Sequence, residues 1–314
     1  MTRRILVTGA NGVLGTAFTL TAGEFPETEF VFSGSKVCNL TQIDEVLAHF
    51  DAVKPDAVLH LAAKSGGIEL LTNYPGTVLR DNLLMNLNVM EAARILKVKK
   101  TIMTLSTGMY PDKVTYPIKE AFIHDGEPHP SVYSYAYAKR IVEPSIRAYR
   151  KEFGMDVIGL VPNGIFGENS NFKDGEATML PSLIRRFYEN REGDGQLVVW
   201  GDGTPLREYT YAKDLARAYM WCLDHYSDAP VLHVGTVEEV SVKDVALSIA
   251  EFLDIDRARI FFDTTKPAGQ FRKGTDNSKF VNLSGFVYTP FREGLRQTID
   301  WFRANYHDTT KVRR

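Results

Sequence analysis

The segment T-G-A-N-G-V-L-G at 8–15 constrains the fold more than any other stretch of the chain. It follows the short apolar run Ile5-Leu6-Val7 and opens a helical pattern, so it reads as a strand, a glycine turn and a helix. At such a turn the backbone bends tightly at Gly9, lies open to a diphosphate at Gly12, and lets helix pack on strand at Gly15. The helix start then offers unpaired N–H groups and a positive dipole end to phosphates. Asn11, Val13 and Leu14 complete the segment as expected cofactor contacts.

The rest of the first half repeats the alternation. Strands are expected over 4–8, 29–33, 57–61, 101–106 and 157–161, with helices over 79–96 and 134–153. Strand–helix alternation of this kind builds a doubly wound parallel α/β sheet. After 165 the pattern changes to a polar loop, a helix over 179–189, strands over 197–200 and 207–211, and a helix over 212–226. The run 231–234 is a further strand candidate for the large sheet, and the chain from 240 on reads as a smaller α/β lobe. The expected division is therefore 1–165 for the dinucleotide, with about 208–237 returning to it, and 166–207 with 238–314 for the substrate. The 314 residues allow about two domains.

Composition excludes several classes of function. Apolar residues at 44% and charged residues at 24% belong to a globular chain, not a disordered or collagen-like one. With 37 basic and 39 acidic residues there is no excess of cations to neutralise nucleic acid. Cys38 and Cys222 are the only cysteines, which argues against a disulfide scaffold or a cysteine-rich metal site, and no metal is expected. No apolar run is long enough to span a bilayer, so no membrane partner is expected. The opening Met1-Thr2-Arg3-Arg4, followed by only three apolar residues, is too short for a leader, and a cytoplasmic protein is expected.

The end of the second strand selects the cofactor. An acid there would bind the 2′-hydroxyl of NAD and repel a 2′-phosphate. Ser33-Gly34-Ser35-Lys36 has none, and two hydroxyls with an ammonium favour NADP(H), although Lys36 also reads as a solvated loop lysine. Asn39 and Leu40 follow beside the adenine, and Leu61, Ala62 and Ala63 let a cofactor pass close to the backbone after the third strand.

Tyr135 and Lys139 lie four residues apart on one helical face, and Ser106 ends the fourth strand. Together they suit carbonyl reduction. The Tyr135 phenol supplies a proton, Lys139 is expected to lower the phenol pKa, and the Ser106 hydroxyl polarises the carbonyl. Tyr133 and Tyr137 lack a lysine at that spacing.

These motifs resemble the extended short-chain dehydrogenase/reductases, Rossmann enzymes, and within them the GDP-L-fucose synthases, which are NADPH-dependent 3,5-epimerase/4-reductases of GDP-4-keto-6-deoxymannose. The likeness covers T-G-A-N-G-V-L-G, H-L-A-A-K-S-G-G-I at 60–68, L-S-T-G-M-Y-P-D-K-V-T-Y-P-I at 105–118, S-Y-A-Y-A-K-R at 134–140, V-V-W-G-D-G-T-P-L-R-E-Y at 198–209 and F-D-T-T-K-P-A-G-Q-F-R-K at 262–273. The resemblance implies Ser106, Tyr135 and Lys139 as the reductase triad, a homodimer, and a GDP-sugar held by the second lobe. Asn82, Leu105, Pro162, Asn163 and Ile165 are expected to complete the cofactor site. Thr107, Gly108, Asn163, Thr178, Leu183, Arg186, Trp200, Arg207 and Lys266 are expected at the substrate. Trp200 also reads as a core residue and Arg207 as a surface charge.

Two departures bear on chemistry. The synthases carry a cysteine where this chain has Gly108 and a histidine where it has Thr178. That pair is taken to move the C3 and C5 protons. Glycine has no side chain, and a threonine hydroxyl is too weak an acid and base for the task. Reduction at C4 needs neither, so the expected activity is 4-keto reduction without epimerisation, with His124 and His129 as the alternative proton carriers. The T-K-P-D-G of the synthases is T-K-P-A-G here at 265–269, which weakens one nucleotide contact. A dehydratase or 4-epimerase would share the tyrosine and lysine, but Gly108-Met109 replaces the acidic pair that dehydratases carry. A non-catalytic NADP sensor is a third reading, which the intact tyrosine–lysine pair disfavours.

Overall fold

The computed structural model describes residues 2–228, 230–266 and 271–313. Its centre is a six-stranded, wholly parallel sheet in the order β10-β5-β4-β3-β1-β2. The strands are β1 (Arg3–Thr8), β2 (Thr28–Ser33), β3 (Ala57–His60), β4 (Lys100–Thr104), β5 (Val157–Pro162) and β10 (Val231–Val234). Most of their residues are buried, and β3, β5 and β10 are buried throughout, as a parallel sheet covered on both faces requires. Between them run α1 (Val13–Thr21), α2 (Ile43–Val53), α3 (Ile68–Asn73), α4 (Pro75–Ile95), α5 (Tyr133–Arg140) and α6 (Val142–Phe153). The chain order reverses between β1 and β3, which opens a crevice above the carboxyl ends of the strands.

Three features of this half differ from expectation. The helix expected over 134–153 is broken at Ile141, because Pro144 has no N–H to give the Arg140 carbonyl. The long helix α4 begins four residues before 79, with Pro75 in its first turn, where a missing N–H costs nothing. The fourth strand ends at Thr104, so Leu105 and Ser106 lie on the loop beyond it. The strand 231–234 joins the large sheet, pairing with β5.

A second apolar core gathers around α7 (Met179–Glu189), α9 (Val242–Phe252) and α11 (Phe291–Asn305), reached after the short β6 (Ile165–Phe166). Three two-stranded pairs frame it: β12 (Ile260–Asp263) with β7 (Leu197–Trp200), β11 (Glu239–Ser241) with β8 (Leu206–Glu208), and β9 (Thr210–Tyr211) with β6. Tyr209 interrupts the strand expected over 207–211. Helix α8 (Ala212–His225) returns the chain to the sheet, where Leu215, Tyr219 and Leu223 join the core of the first half. No helix among the described residues is long and apolar enough to cross a membrane.

Candidate active site

A groove of about 870 Å³ opens above β1, β3 and β4 and is closed from the other side by the loop 170–178. The glycine turn forms its floor. Gly9 has φ +72, and a Cβ there would meet Ala62 N at 2.6 Å. A Cβ on Gly15 would meet Gly9 O at 2.5 Å, so helix and turn touch directly. A Cβ on Gly12 would meet only Gly9 O, at 3.2 Å, and otherwise occupy open groove. This is the cradle a diphosphate needs, beside the start of α1.

Of the expected cofactor residues, Gly9, Asn11, Gly12, Val13, Leu14, Gly15, Ser33, Ser35, Asn39, Leu40, Leu61, Ala62, Ala63, Leu105, Pro162, Asn163 and Ile165 line the groove, as do Tyr135 and Lys139. Lys36 and Asn82 do not. The Gly34 carbonyl accepts Val37 N at 2.9 Å and Cys38 N at 3.2 Å, a turn that tucks Cys38 inward and leaves Lys36 exposed. Asn82 is buried behind the wall, where it holds Lys64 through both backbone groups, at 3.0 and 2.9 Å. Asn163 is committed elsewhere. Its amide donates to Glu208 Oε2 at 2.7 Å and Thr236 O at 2.8 Å and accepts from the Thr210 hydroxyl, so no side-chain donor is left for a ligand.

Ser106, Tyr135 and Lys139 converge on the groove from the β4 loop and from α5. Lys139 is 1% exposed, donates to Thr104 O at 2.7 Å, and lies with Nζ 5.9 Å from the centre of the Tyr135 ring. Burial pushes the Tyr135 phenol up to about 12, opposed by a hydrogen bond with Ser106. Burial pulls Lys139 down to about 8. The expectation that Lys139 lowers the tyrosine pKa is thus not met: Nζ donates to a backbone carbonyl and stands 5.9 Å from the centre of the phenol ring, and Ser106 is the group that acts against burial. Behind them, the buried His60 links Thr8 Oγ1 at 2.8 Å to Asn86 Oδ1 at 3.1 Å and is kept neutral by burial, its pKa lowered to about 3.

Among the expected substrate residues, Thr107, Asn163 and Thr178 line the groove. Gly108 lies in a small adjoining pocket with Tyr110, Tyr116, His129 and Lys273. Leu183 is a core residue of α7. Arg186 is largely buried and gives one bond to Val198 O at 3.1 Å, so it braces β7 from outside the groove. Arg207 bonds its neighbouring carbonyl, Leu206 O, at 2.7 Å and also stands outside the groove wall. Trp200 is 60% exposed, with Lys266 Nζ 6.0 Å from its ring, so the reading of a core tryptophan fails. Pro267, Ala268 and Gly269 of the 265–269 motif lie outside the described residues. His124 is tied to Glu143 at 2.9 Å and lines neither the groove nor the pocket that holds Gly108. Cys38 lines the groove beside Asn39 and Leu40, beyond the end of β2, and Cys222 is sealed in the core, its thiol raised to about 12 by burial.

Residues 5–235 match the NAD dependent epimerase/dehydratase family. The chain belongs to this family. It is 34% identical to the GDP-L-fucose synthase of Dictyostelium discoideum over 98% of both chains. It superposes on the crystal structure of a GDP-L-fucose synthetase from Naegleria fowleri with a TM-score of 0.92, at 34% identity, covering 100% of this chain and 96% of that one. The NADP-bound form of that protein gives the same TM-score at 33% identity, over 99% of this chain and 96% of that one. A GDP-6-OMe-4-keto-L-xylo-heptose reductase from C. jejuni shares the fold, with a TM-score of 0.89, at 23% identity and covering 97% of this chain and 98% of that one.

As an epimerase/dehydratase family member, the chain also has groove residues that the sequence reading passed over. Lys64 lines the wall paired to Asp81 at 2.8 Å, and Asn171, Glu176 and Arg313 line the opposite side. Lys64 was findable, because it follows a parallel strand, where functional groups gather. Arg313 had no local signal, since only the packing of the distant segment 308–313 carries it to the groove.

Proposed function

We propose that the chain is an NADPH-dependent reductase of a GDP-4-keto-6-deoxy sugar, a hexose or heptose of the manno or lyxo series, without C3/C5 epimerase activity. The carrying observation is a groove that holds Ser106, Tyr135, Lys139 and Thr178, with Gly108 in the small pocket that adjoins it, so that neither of the two departing positions brings a cysteine or a histidine. The open cradle at Gly12 and the hydroxyls of Ser33 and Ser35 fit NADPH, which when bound supplies a hydride for the C4 carbonyl. Ser106 orients the carbonyl oxygen, and Tyr135, which keeps its proton throughout the neutral range, delivers it to the developing alkoxide. The part of the chain around the second core, 166–207 with 238–314, takes the nucleotide sugar, with Trp200 exposed for a base.

Epimerisation next to a ketone needs one group to remove an α-proton and another to return it on the opposite face. Neither cysteine serves, for the reasons of position given above. His129 favours the second reading, a bifunctional epimerase/reductase, because it shares a pocket with Gly108. Its Nδ1 is bonded to Ser131, at 2.8 Å to the hydroxyl. Absorbance at 340 nm with NADPH and GDP-4-keto-6-deoxymannose, run in D₂O and followed by mass spectrometry and proton NMR of the sugar, tests both readings. We expect NADPH to be consumed and the C3 and C5 positions to stay unlabelled. Deuterium at either carbon, lost in His129→Gln, would establish the bifunctional reading instead.

A homodimer through α4 and α5 is part of the same reading. Tyr133, Tyr137 and Ile141 recur at four-residue spacing and are all exposed, as are Leu84 and Leu87. Light scattering should give a dimer, and Tyr137→Glu with Ile141→Glu should give a monomer. A wild-type monomer at micromolar concentration sinks the assignment.

A further inference from the structure

Arg313 reaches the groove in an unusual way. Val312 is anchored in the second core at 1% exposure. The next residue is fixed by its backbone: Phe172 N donates to Arg313 O at 3.0 Å, and Asn171 and Arg313 form a parallel β-bridge. Successive side chains of extended backbone point to opposite sides. With Val312 inward, Arg313 turns to the groove, whose wall it joins.

Its guanidinium donates to the Asn169 carbonyl. Asn169 in turn fastens the same loop to the glycine turn, donating through Nδ2 to Asn11 O at 3.1 Å and to Thr16 Oγ1 at 2.8 Å. The arginine is therefore set one residue away from the loop's attachment to the start of α1. Among the described residues no carboxylate lies within ion-pair distance of it. The acid that influences it, Glu176, is already bonded to Lys173 at 2.5 Å and Asn171 at 3.3 Å. A guanidinium with backbone support, uncommitted to a carboxylate and lining the same groove as the glycine turn, has donors left for a planar pair of phosphate oxygens.

We propose that Arg313 binds the diphosphate of the dinucleotide from the wall opposite the glycine turn, so that residues far apart in sequence close one anion site. This rests on the proposed use of NADPH in this groove. The same chemistry would suit the diphosphate of a nucleotide sugar, but the link through Asn169 to Asn11 and Thr16 favours the dinucleotide.

The test measures dissociation constants for NADPH and NADH by fluorescence and for GDP by calorimetry, in the wild type, Arg313→Ala and Arg313→Lys. Arg313→Ala is expected to weaken NADPH and NADH equally, by about tenfold, as for one charge-assisted contact. GDP should bind unchanged, and Arg313→Lys should recover part of the loss. Equal loss for both dinucleotides assigns the contact to the diphosphate. Unchanged dinucleotide binding in Arg313→Ala overturns the proposal, as does a loss confined to NADPH, which would mean the 2′-phosphate, or confined to GDP. A wild-type chain that binds neither dinucleotide would instead overturn the functional reading beneath it.

Discussion

Replacing Tyr135 by phenylalanine is expected to lower the turnover number for ketone reduction by about 10²–10⁴, the usual span for removing a general acid. Dinucleotide affinity should change by less than about twofold, since contact area is nearly conserved and the phenol oxygen alone is lost. The argument rests on protonation as well as position. Burial holds the phenol at about 12, so at neutral pH the group that meets the alkoxide always carries its proton. The hydroxyl of Ser106 bonds the phenol and moderates that shift, so Ser106→Ala should also slow turnover, through both the carbonyl and the donor. Stopped-flow measurement at saturating NADPH separates the chemical step from binding. Turnover within threefold of wild type in Tyr135→Phe would remove this tyrosine as proton donor.

The second large effect concerns stability. Glu208 is buried and forms no ion pair among the described residues, the nearby Arg272 being paired with Glu239, and it accepts from Asn163 Nδ2 at 2.7 Å, Thr275 Oγ1 at 2.8 Å and Thr275 N at 3.1 Å. These bonds join β5 and β8 to the chain beyond β12, so the carboxyl ties the sheet to the second core. Burial outweighs the bonds and raises the Glu208 pKa from 4.5 to about 7, with Glu239 adding to the rise. The folded form therefore binds its proton more tightly than the unfolded chain. The contribution to stability is complete below about pH 4.5 and is lost as pH rises through 7. Each pKa unit is worth 1.36 kcal/mol, so the loss amounts to about 3 kcal/mol by pH 8. Glu208→Gln cannot ionise, and relative to wild type it should gain about 3 kcal/mol between pH 4 and pH 8. Urea unfolding at the two pH values measures this. Parallel pH slopes in the two proteins would show that Glu208 is ionised at little cost.

Much of the site was legible because its parts are local. A glycine turn needs only eight consecutive residues, and Tyr135 and Lys139 share a face whatever surrounds the helix. Ser106 was predictable from the rule that parallel strands present function at their carboxyl ends, even though β4 stops two residues earlier. Expectations failed where the side chain's direction depends on a turn or a packing partner. Lys36 is turned outward by the Gly34 turn. Asn163 follows the predicted strand, but its amide is consumed by Glu208, Thr236 and Thr210, residues no local pattern connects to it. Arg186 was expected at the substrate, and it braces β7 because α7 packs against that strand.

Residue order alone was enough for the parallel sheet, the glycine turn, the tyrosine–lysine pair and the missing side chain at Gly108, since each depends on backbone conformation or residue identity within a few positions. How a buried lysine, a buried phenol and the Glu208 carboxyl titrate depends instead on packing, as does the arrival of Arg313 at the groove wall. The physical reason is that desolvation and long-range contact exist only once distant segments exclude water together.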